Sequence, residues 1–176
     1  MADASGPRVV GIDPGLNTTG YGVLDVSRMP PRLVEAGVVR GGSSDRLDQR
    51  LLNVHRGVLE VLEQHRPVAV ALEELYSHYE RPRTAILMGH ARGVICLAAV
   101  SQQIAIYPYA ATHVKKILTG SGRAPKGQIQ VAVQRELKLP KLPEPPDVAD
   151  ALAIALCHAY SHFARLPIKS TSTHDH

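Results

Sequence analysis

The stretch that decides the fold is Arg8-Val9-Val10-Gly11-Ile12-Asp13-Pro14-Gly15. Its β-branched residues, with no charge among them, predict a short strand that is buried on both faces. The strand ends at Asp13, and the Pro-Gly pair behind it turns the chain sharply. This carboxylate therefore stands on rigid backbone at the end of a strand, where a functional group is positioned more precisely than on a loop. An aspartate that only caps the turn is the simpler alternative.

Hydrophobic patterning outward from this strand predicts an alternation of strands and helices. Three strands in succession with short turns favour an antiparallel meander, and the later β-α-β crossovers place two more strands parallel to the first. We therefore predict an α/β fold, a mixed five-stranded sheet of three antiparallel and two parallel strands with helices on both faces. The predicted strands are 8–13, 21–26, 33–40, 68–73 and 103–108, and the predicted helices are 44–66, 83–101, 110–118, 126–139 and 147–164.

Length and composition indicate one globular domain. The chain has 176 residues, of which 44% are hydrophobic and 20% charged, and its net charge of +4 is compatible with a nucleic-acid partner. No uninterrupted apolar run reaches the roughly 18 residues of a membrane span, so we expect no membrane association. Cys96 and Cys157 fall in apolar helical patterns, which predict two buried thiols in a protein of the reducing cytoplasm rather than a disulfide or a metal site. Residues 1–7 are expected to be flexible and the tail 167–176 to be disordered, which leaves 8–166 as the domain.

A second carboxylate ends a second buried strand, Val68-Ala69-Val70-Ala71-Leu72-Glu73. If this strand is parallel to the first and adjacent to it, both acids emerge at the same edge of the sheet. Glu73 and Glu74 cannot both point inward, because side chains alternate along a strand. We predict that Glu73 is the inward residue, since it continues the apolar run.

Two further acids open the last predicted helix. Asp147 and Asp150 are three residues apart and project from one helix face, although two acids in a first turn also simply suit the helix dipole. Four converging carboxylates would repel one another unless a cation lay among them. Oxygen ligands suit Mg²⁺ or Mn²⁺, and two such ions can activate water and stabilise the leaving oxygen of a phosphodiester.

Several collinear motifs between Val9 and Phe163 resemble the RuvC family of Holliday-junction resolvases. They are Gly11-Ile12-Asp13-Pro14-Gly15 with Thr19-Gly20-Tyr21-Gly22, Ala71-Leu72-Glu73, Gly89-His90-Ala91-Arg92-Gly93-Val94, and Asp147-Val148-Ala149-Asp150-Ala151-Leu152-Ala153. The resemblance implies a ribonuclease-H-like fold and a homodimer that resolves four-way DNA junctions by paired, symmetric, metal-dependent nicks in recombination and repair. It also implies RuvA and RuvB, the branch-migration proteins, as partners.

The same resemblance places the catalytic, metal-binding acids of the family on Asp13, Glu73, Asp147 and Asp150, with two Mg²⁺ or Mn²⁺ ions per subunit. Some members of the family carry His at the place of Asp147.

Aromatic and basic residues flank these acids in the sequence. A ring at Tyr76 can stack on an unpaired base, and nearby arginines can hold phosphates, although an ordinary solvated loop is the alternative. Lys126 opens a helix whose N-terminal amides favour a phosphate. The resemblance carries DNA contacts onto Lys115 and Lys126. The full set of candidate DNA-binding residues is Tyr76, Arg81, Arg83, Lys115, Arg123 and Lys126.

Small residues recur every four positions on the helix after Tyr76, at Ala85, Gly89 and Gly93. A helical glycine costs about 1 kcal/mol relative to alanine, so we expect another backbone to approach closely there. Packing on the sheet and a two-fold dimer interface both fit, and the resemblance favours the dimer. His158 and His162 have the spacing of a metal pair, but His158 lies ~16 Å along the helix from the acids. We predict that the two histidines form a surface pair outside the acidic site.

Three other functions fit parts of the pattern. An actin-like ATPase has a similar Asp-Pro-Gly hairpin, but it needs a second lobe and more length. A non-catalytic junction-binding scaffold would gain affinity for DNA by losing the acids. An enzyme that cuts RNA–DNA hybrids would use the same chemistry, and the motif match alone argues against it.

Overall fold

The structure is a computed structural model that describes residues 6–44, 46–75 and 81–164. Tyr76, most of the N-terminal segment and the C-terminal tail lie outside these residues, so the predictions for them stay predictions. Within the described ranges the chain forms five strands and five helices. The strands are β1 (Arg8–Asp13), β2 (Thr18–Asp25), β3 (Arg32–Arg40), β4 (Ala69–Glu73) and β5 (Ala105–Tyr109); the helices are α1 (Leu47–His65), α2 (Pro82–Ser101), α3 (Ala111–Thr119), α4 (Lys126–Leu137) and α5 (Pro146–His162).

The strands form one mixed sheet in the order β3-β2-β1-β4-β5. β1, β2 and β3 are antiparallel neighbours, while β4 runs parallel to both β1 and β5. The predicted sheet is therefore confirmed. Ile12 pairs with Leu72, so the acids that follow them end adjacent strands at the same edge.

Helices cover both faces of the sheet, as predicted, because each strand alternates its side chains between two cores. One core joins the sheet to α3, α4 and α5, and the other joins it to α1 and α2. α5 is buried along nearly its whole length, with small residues at the positions of closest approach. Its first turn therefore lies against the sheet rather than in solvent.

Glycines on the sheet permit this close approach of α5. A Cβ atom added at Gly20 would overlap the carbonyl oxygen of Asp147, and one added at Gly11 would overlap that of Ala151. Gly20 pairs with Asp13 across the β1–β2 ladder. The absence of a side chain at Gly20 thus lets the start of α5 settle beside the end of β1.

Several strands and helices begin or end a few residues away from the predicted positions. β2 begins three residues earlier than predicted, because Thr18 pairs with Arg40 of β3. α1 begins at Leu47 rather than at residue 44. α4 stops at Leu137 because Lys138 adopts a left-handed backbone conformation, with φ at 53°.

α2 turns an apolar face outward. Ile86, Leu97 and Val100 on this face are 61–63% exposed. Among the helices of the described residues, α2 is the one that is long and apolar enough to cross a membrane, by length and composition alone. Its most apolar 18 residues have a mean hydropathy of 1.5, and 22% of this stretch is buried. His90 and Arg92 interrupt its apolar residues, so α2 does not contain an unbroken apolar run of the length that a membrane span needs. Exposed apolar patches of this kind are typical of interaction surfaces.

The prediction of a surface pair at His158 and His162 is wrong for His158, which is only 2% exposed. A 2.7 Å hydrogen bond joins its Nδ1 to the hydroxyl of Tyr109, and its ring stacks on that of His162 at 4.3 Å. Burial, with a smaller contribution from His162, lowers the pKa of His158 to about 4. The i, i+4 spacing failed as a guide because α5 is buried on almost every side. Of the two predicted buried thiols, Cys157 is buried and Cys96 is partly exposed on α2.

Candidate active site

Asp13 and Glu73 stand side by side at the ends of β1 and β4. Both follow an apolar strand, and both lie on the face of the sheet that α5 covers, as the alternation from Val9 and Ala71 requires. Glu74 is exposed, and its backbone N–H donates to the carbonyl of Tyr109 at 2.9 Å. The structure thus places Glu73, rather than Glu74, beside Asp13.

The first turn of α5 brings the other two acids to this edge. Asp150 lines a pocket of about 220 Å³ together with Asp13 and Glu73. Asp147 lies over Gly20, close enough for its charge to act on Asp13. Residues that are more than 130 positions apart in the chain thus form one cluster of four carboxylates.

The electrostatics of the cluster show a deficit of positive charge. Burial raises the pKa of Asp13 to about 9, and Glu73, Asp150 and Asp147 add to the rise, in that order. Burial is also the main reason that the pKa of Glu73 is raised, with Asp150 contributing, while its hydrogen bond with Asp13 lowers it. The raised pKa values of Asp13 and Glu73 favour a protonated carboxyl group at this pair when no cation neutralises it.

Two lysines lie at the same pocket. Lys126, at the start of α4, has its Nζ 3.5 Å from Oδ2 of Asp150, and its side chain is 76% exposed. Lys115 of α3 lines the pocket, and the charges of both lysines lower the pKa of Glu73. They offset part of the carboxylate charge and leave cationic groups facing solvent beside it.

The other predicted site residues lie elsewhere. Arg81 and Arg83 are exposed at the start of α2, and Arg123 is exposed in the loop before α4. Their predicted role in DNA binding stays a prediction, as does that of Tyr76, which lies outside the described residues. The predicted interface residues are on α2, where a Cβ added at Gly93 would meet nothing within 4 Å.

The donor set fits a hard divalent cation. Four carboxylates supply oxygen ligands only, and the raised pKa of Asp13 is what a site built around a cation would show in its absence. Across the described residues, no three Asp, Glu, His or Cys side chains lie close enough together to enclose an ion. Metal binding would therefore have to draw these carboxylates closer together.

Sequence reasoning missed two residues that position the acids. Gly20 lets α5 approach, and Arg92 of α2 donates from Nε to the carbonyl oxygen of Glu73 at 3.2 Å. The alternating glycines at Gly20 and Gly22 on a strand were a usable signal, because two glycines on one face indicate close packing. No pattern in the sequence indicates the contact of Arg92.

The raised pKa of Asp13 predicts how stability depends on pH. The unfolded chain releases this proton near pH 3.8 and the folded, metal-free chain near pH 9, so the folded state is destabilised as pH rises between these values. Buried His158 has the opposite effect: its pKa is lowered from 6.5 to about 4, so the stability of the folded state rises with pH between these two values. We therefore expect the melting temperature of the metal-free protein to fall from about pH 7 to about pH 8.5, and Mn²⁺ to reverse the fall. A melting temperature that stays flat or rises over this range in thermal denaturation would contradict the assignment.

Known proteins are similar to this chain over most of its length. The family model for "Crossover junction endodeoxyribonuclease RuvC" matches residues 9–158. A protein of that name from Rhodopirellula baltica is 58% identical over 154 residues, covering 86% of this chain and 85% of its own. One from Petrotoga mobilis is 43% identical over 150 residues, covering 85% and 91%.

Solved structures show the same likeness. T. thermophilus RuvC in complex with Holliday junction substrate superimposes with a TM-score of 0.82 at 38% identity, covering 88% of this chain and 94% of that one. The yeast mitochondrial Holliday junction resolvase Ydc2 reaches a TM-score of 0.61 at 12% identity, which is a likeness of fold alone.

Proposed function

Because the chain belongs to the RuvC family of crossover junction endodeoxyribonucleases, we propose that it resolves Holliday junctions by hydrolysing phosphodiester bonds. It has the ribonuclease-H-like fold expected from the resemblance. The observation that carries the proposal is the group of carboxylates at one sheet edge, of which Asp13, Glu73 and Asp150 line one pocket with two lysines and Asp147 acts on Asp13 through its charge. This is a nuclease site that needs no nucleophilic side chain.

The acids at this edge of the sheet and the lysines beside them have separate tasks. Asp13, Glu73, Asp147 and Asp150 would hold the metal, which we propose to be two Mg²⁺ or Mn²⁺ ions per subunit. When bound, such ions activate water and stabilise the leaving oxygen of a phosphodiester. The strand ends fix the backbone of Asp13 and Glu73, so the approach of these carboxylates to a metal is left to their side chains.

Positive charge beside the acids supports a DNA substrate. Lys126 is exposed next to Asp150, and Lys115 lines the same pocket, so both can bind phosphates on either side of the scissile bond. Each phosphate contact should steepen the salt dependence of binding by about one unit. We also propose the partners and setting that the resemblance implies, namely RuvA and RuvB, recombination and repair, together with the cytoplasmic location that the two cysteines suggest.

A synthetic four-way junction tests the function. With Mg²⁺ or Mn²⁺ we expect the wild type to place paired nicks in two like strands. Asp150→Asn should cut at least about a hundredfold more slowly, because a metal-binding oxygen is lost, while it still binds the junction in a gel-shift assay. Equal cutting by both proteins would remove Asp150 from the chemistry. Cutting of linear duplex as fast as junctions would overturn the substrate assignment.

We propose that α2 forms the interface of a homodimer. Its outward face combines small residues with exposed apolar ones, and a Cβ at Gly93 would have nothing within 4 Å inside the subunit. Nothing in the described part of a single subunit therefore requires glycine there, whereas close approach of a second helix would. A two-fold dimer also matches a substrate with two equivalent strands. The proposed interface residues are Ala85, Gly89 and Gly93, flanked by Ile86, Leu97 and Val100.

Gly93→Leu tests this interface. We expect the variant to be monomeric in sedimentation, with a subunit fold at least as stable as the wild type, because leucine removes the helix penalty of glycine. The matched control is Gly127→Leu on α4, where an added Cβ also meets nothing within 4 Å. A dimeric Gly93→Leu variant would show that α2 does not form the interface.

A further inference from the structure

Arg92 makes the contact that joins α2 to the end of β4. Its Nε donates to the carbonyl oxygen of Glu73 at 3.2 Å, and the side chain is partly buried. On the other side of the same strand end, the N–H of Glu74 donates to the carbonyl of Tyr109. The backbone that carries Glu73 is thus held by β5 on one side and by an α2 side chain on the other.

Arg92 lies on α2 beside the small residues that we propose as the dimer interface. At about 100° per residue, Arg92 lies about 20° around α2 from Ala85 and about 60° from Gly89. It therefore borders the outward stripe of small residues. Leu75, just beyond Glu73, lies along the same flank, with its Cδ1 3.8 Å from where a Cβ of Gly89 would be. A shift of α2 would therefore move Arg92 and change its hydrogen bond to the backbone of Glu73.

We propose that Arg92 is a positioning residue through which packing of α2 in the dimer sets the place of Glu73 in the metal site. This inference rests on the proposed function, because it takes Glu73 as a metal ligand and α2 as the interface. Groups that orient a metal ligand typically change metal affinity by roughly 10-fold to 100-fold when they are removed. Association of the two subunits then also brings Glu73 into the position in which it binds metal.

The sign of the effect distinguishes positioning from simple charge. Arg92 is a cation near a cluster of carboxylates, so its removal on charge alone would strengthen the binding of a divalent cation. If Arg92 instead holds Glu73 in place, its removal weakens that binding. Arg56, which is exposed on α1, provides a control with the same loss of charge.

Calorimetric titration with Mn²⁺, without DNA, measures the effect. We expect Arg92→Gln to bind Mn²⁺ roughly 10-fold to 100-fold more weakly than the wild type, Arg92→Lys to fall between them, and Arg56→Gln to match the wild type. Sedimentation and thermal denaturation should show that the dimer and the fold persist, and Arg92→Lys keeps the test usable if the glutamine variant unfolds. Unchanged or tighter Mn²⁺ binding by Arg92→Gln would overturn the proposal.

A second cycle tests the link to the dimer. In the Gly93→Leu monomer, Mn²⁺ binding should already be weaker than in the dimer, and Arg92→Gln should weaken it by less than about threefold further. An equal factor in monomer and dimer would show a purely local contact and overturn the coupling. Junction cleavage by the wild type tests the proposed function separately, because the Mn²⁺ titrations need no DNA.

Discussion

Replacement of Asp13 by asparagine is expected to abolish junction cleavage and also to make the metal-free protein more stable. Cleavage should fall by at least about a hundredfold, because a carboxylate oxygen that holds the metal is lost. Stability should rise because burial and three neighbouring carboxylates raise the pKa of Asp13 to about 9, so that folding near neutral pH must protonate this carboxylate, a cost that asparagine avoids. A gain of about 1–2 kcal/mol corresponds to a melting temperature higher by roughly 2–8 °C.

The opposite signs of the two effects make this prediction specific. Loss of activity through unfolding would lower the melting temperature, whereas the change expected here raises it, and by more at pH 8 than at pH 6. The control is Glu74→Gln, which removes an exposed carboxylate one residue from Glu73 and should change neither property. A lower melting temperature for Asp13→Asn in thermal denaturation would show that the carboxylate stabilises the folded protein.

Gly20→Ala is expected to disrupt the site without touching any acidic side chain. The new Cβ would overlap the carbonyl oxygen of Asp147, so the first turn of α5 must move away from the sheet. We expect a loss of about 1–3 kcal/mol in the free energy of unfolding, from chemical denaturation. Mn²⁺ affinity and cleavage should fall with it, because Asp147 and Asp150 move together away from Asp13.

Gly37→Ala on β3 is the matched substitution. It is also a strand glycine, but its added Cβ would meet the hydroxyl end of the Tyr21 side chain, at 2.9 Å, rather than the backbone of α5. A tyrosine side chain can move aside, so this variant should keep wild-type Mn²⁺ affinity and cleavage. If Gly20→Ala also kept them, the close approach of α5 would not be what places Asp147.

The elements that carry the acids were readable from local sequence. β1 and β4 are recognisable as apolar runs that end in a carboxylate, and the first turn of α5 is recognisable by its two acids at i and i+3. Chain order and crossover rules then put the strand ends at one edge. Boundaries were less certain, as at the end of α4, because the left-handed turn at Lys138 depends on what the chain packs against next.

By itself the sequence determined the periodicity, the chain direction and the chemical types of the site residues, since these depend on neighbours within a few positions. Only the tertiary structure decided which side of α5 is buried, which is why His158 proved to be internal. It also decided that Gly20 lies under Asp147 and that Arg92 reaches Glu73. The same packing raises the pKa of Asp13, because desolvation and the approach of distant carboxylates arise only when residues far apart in the chain come into contact.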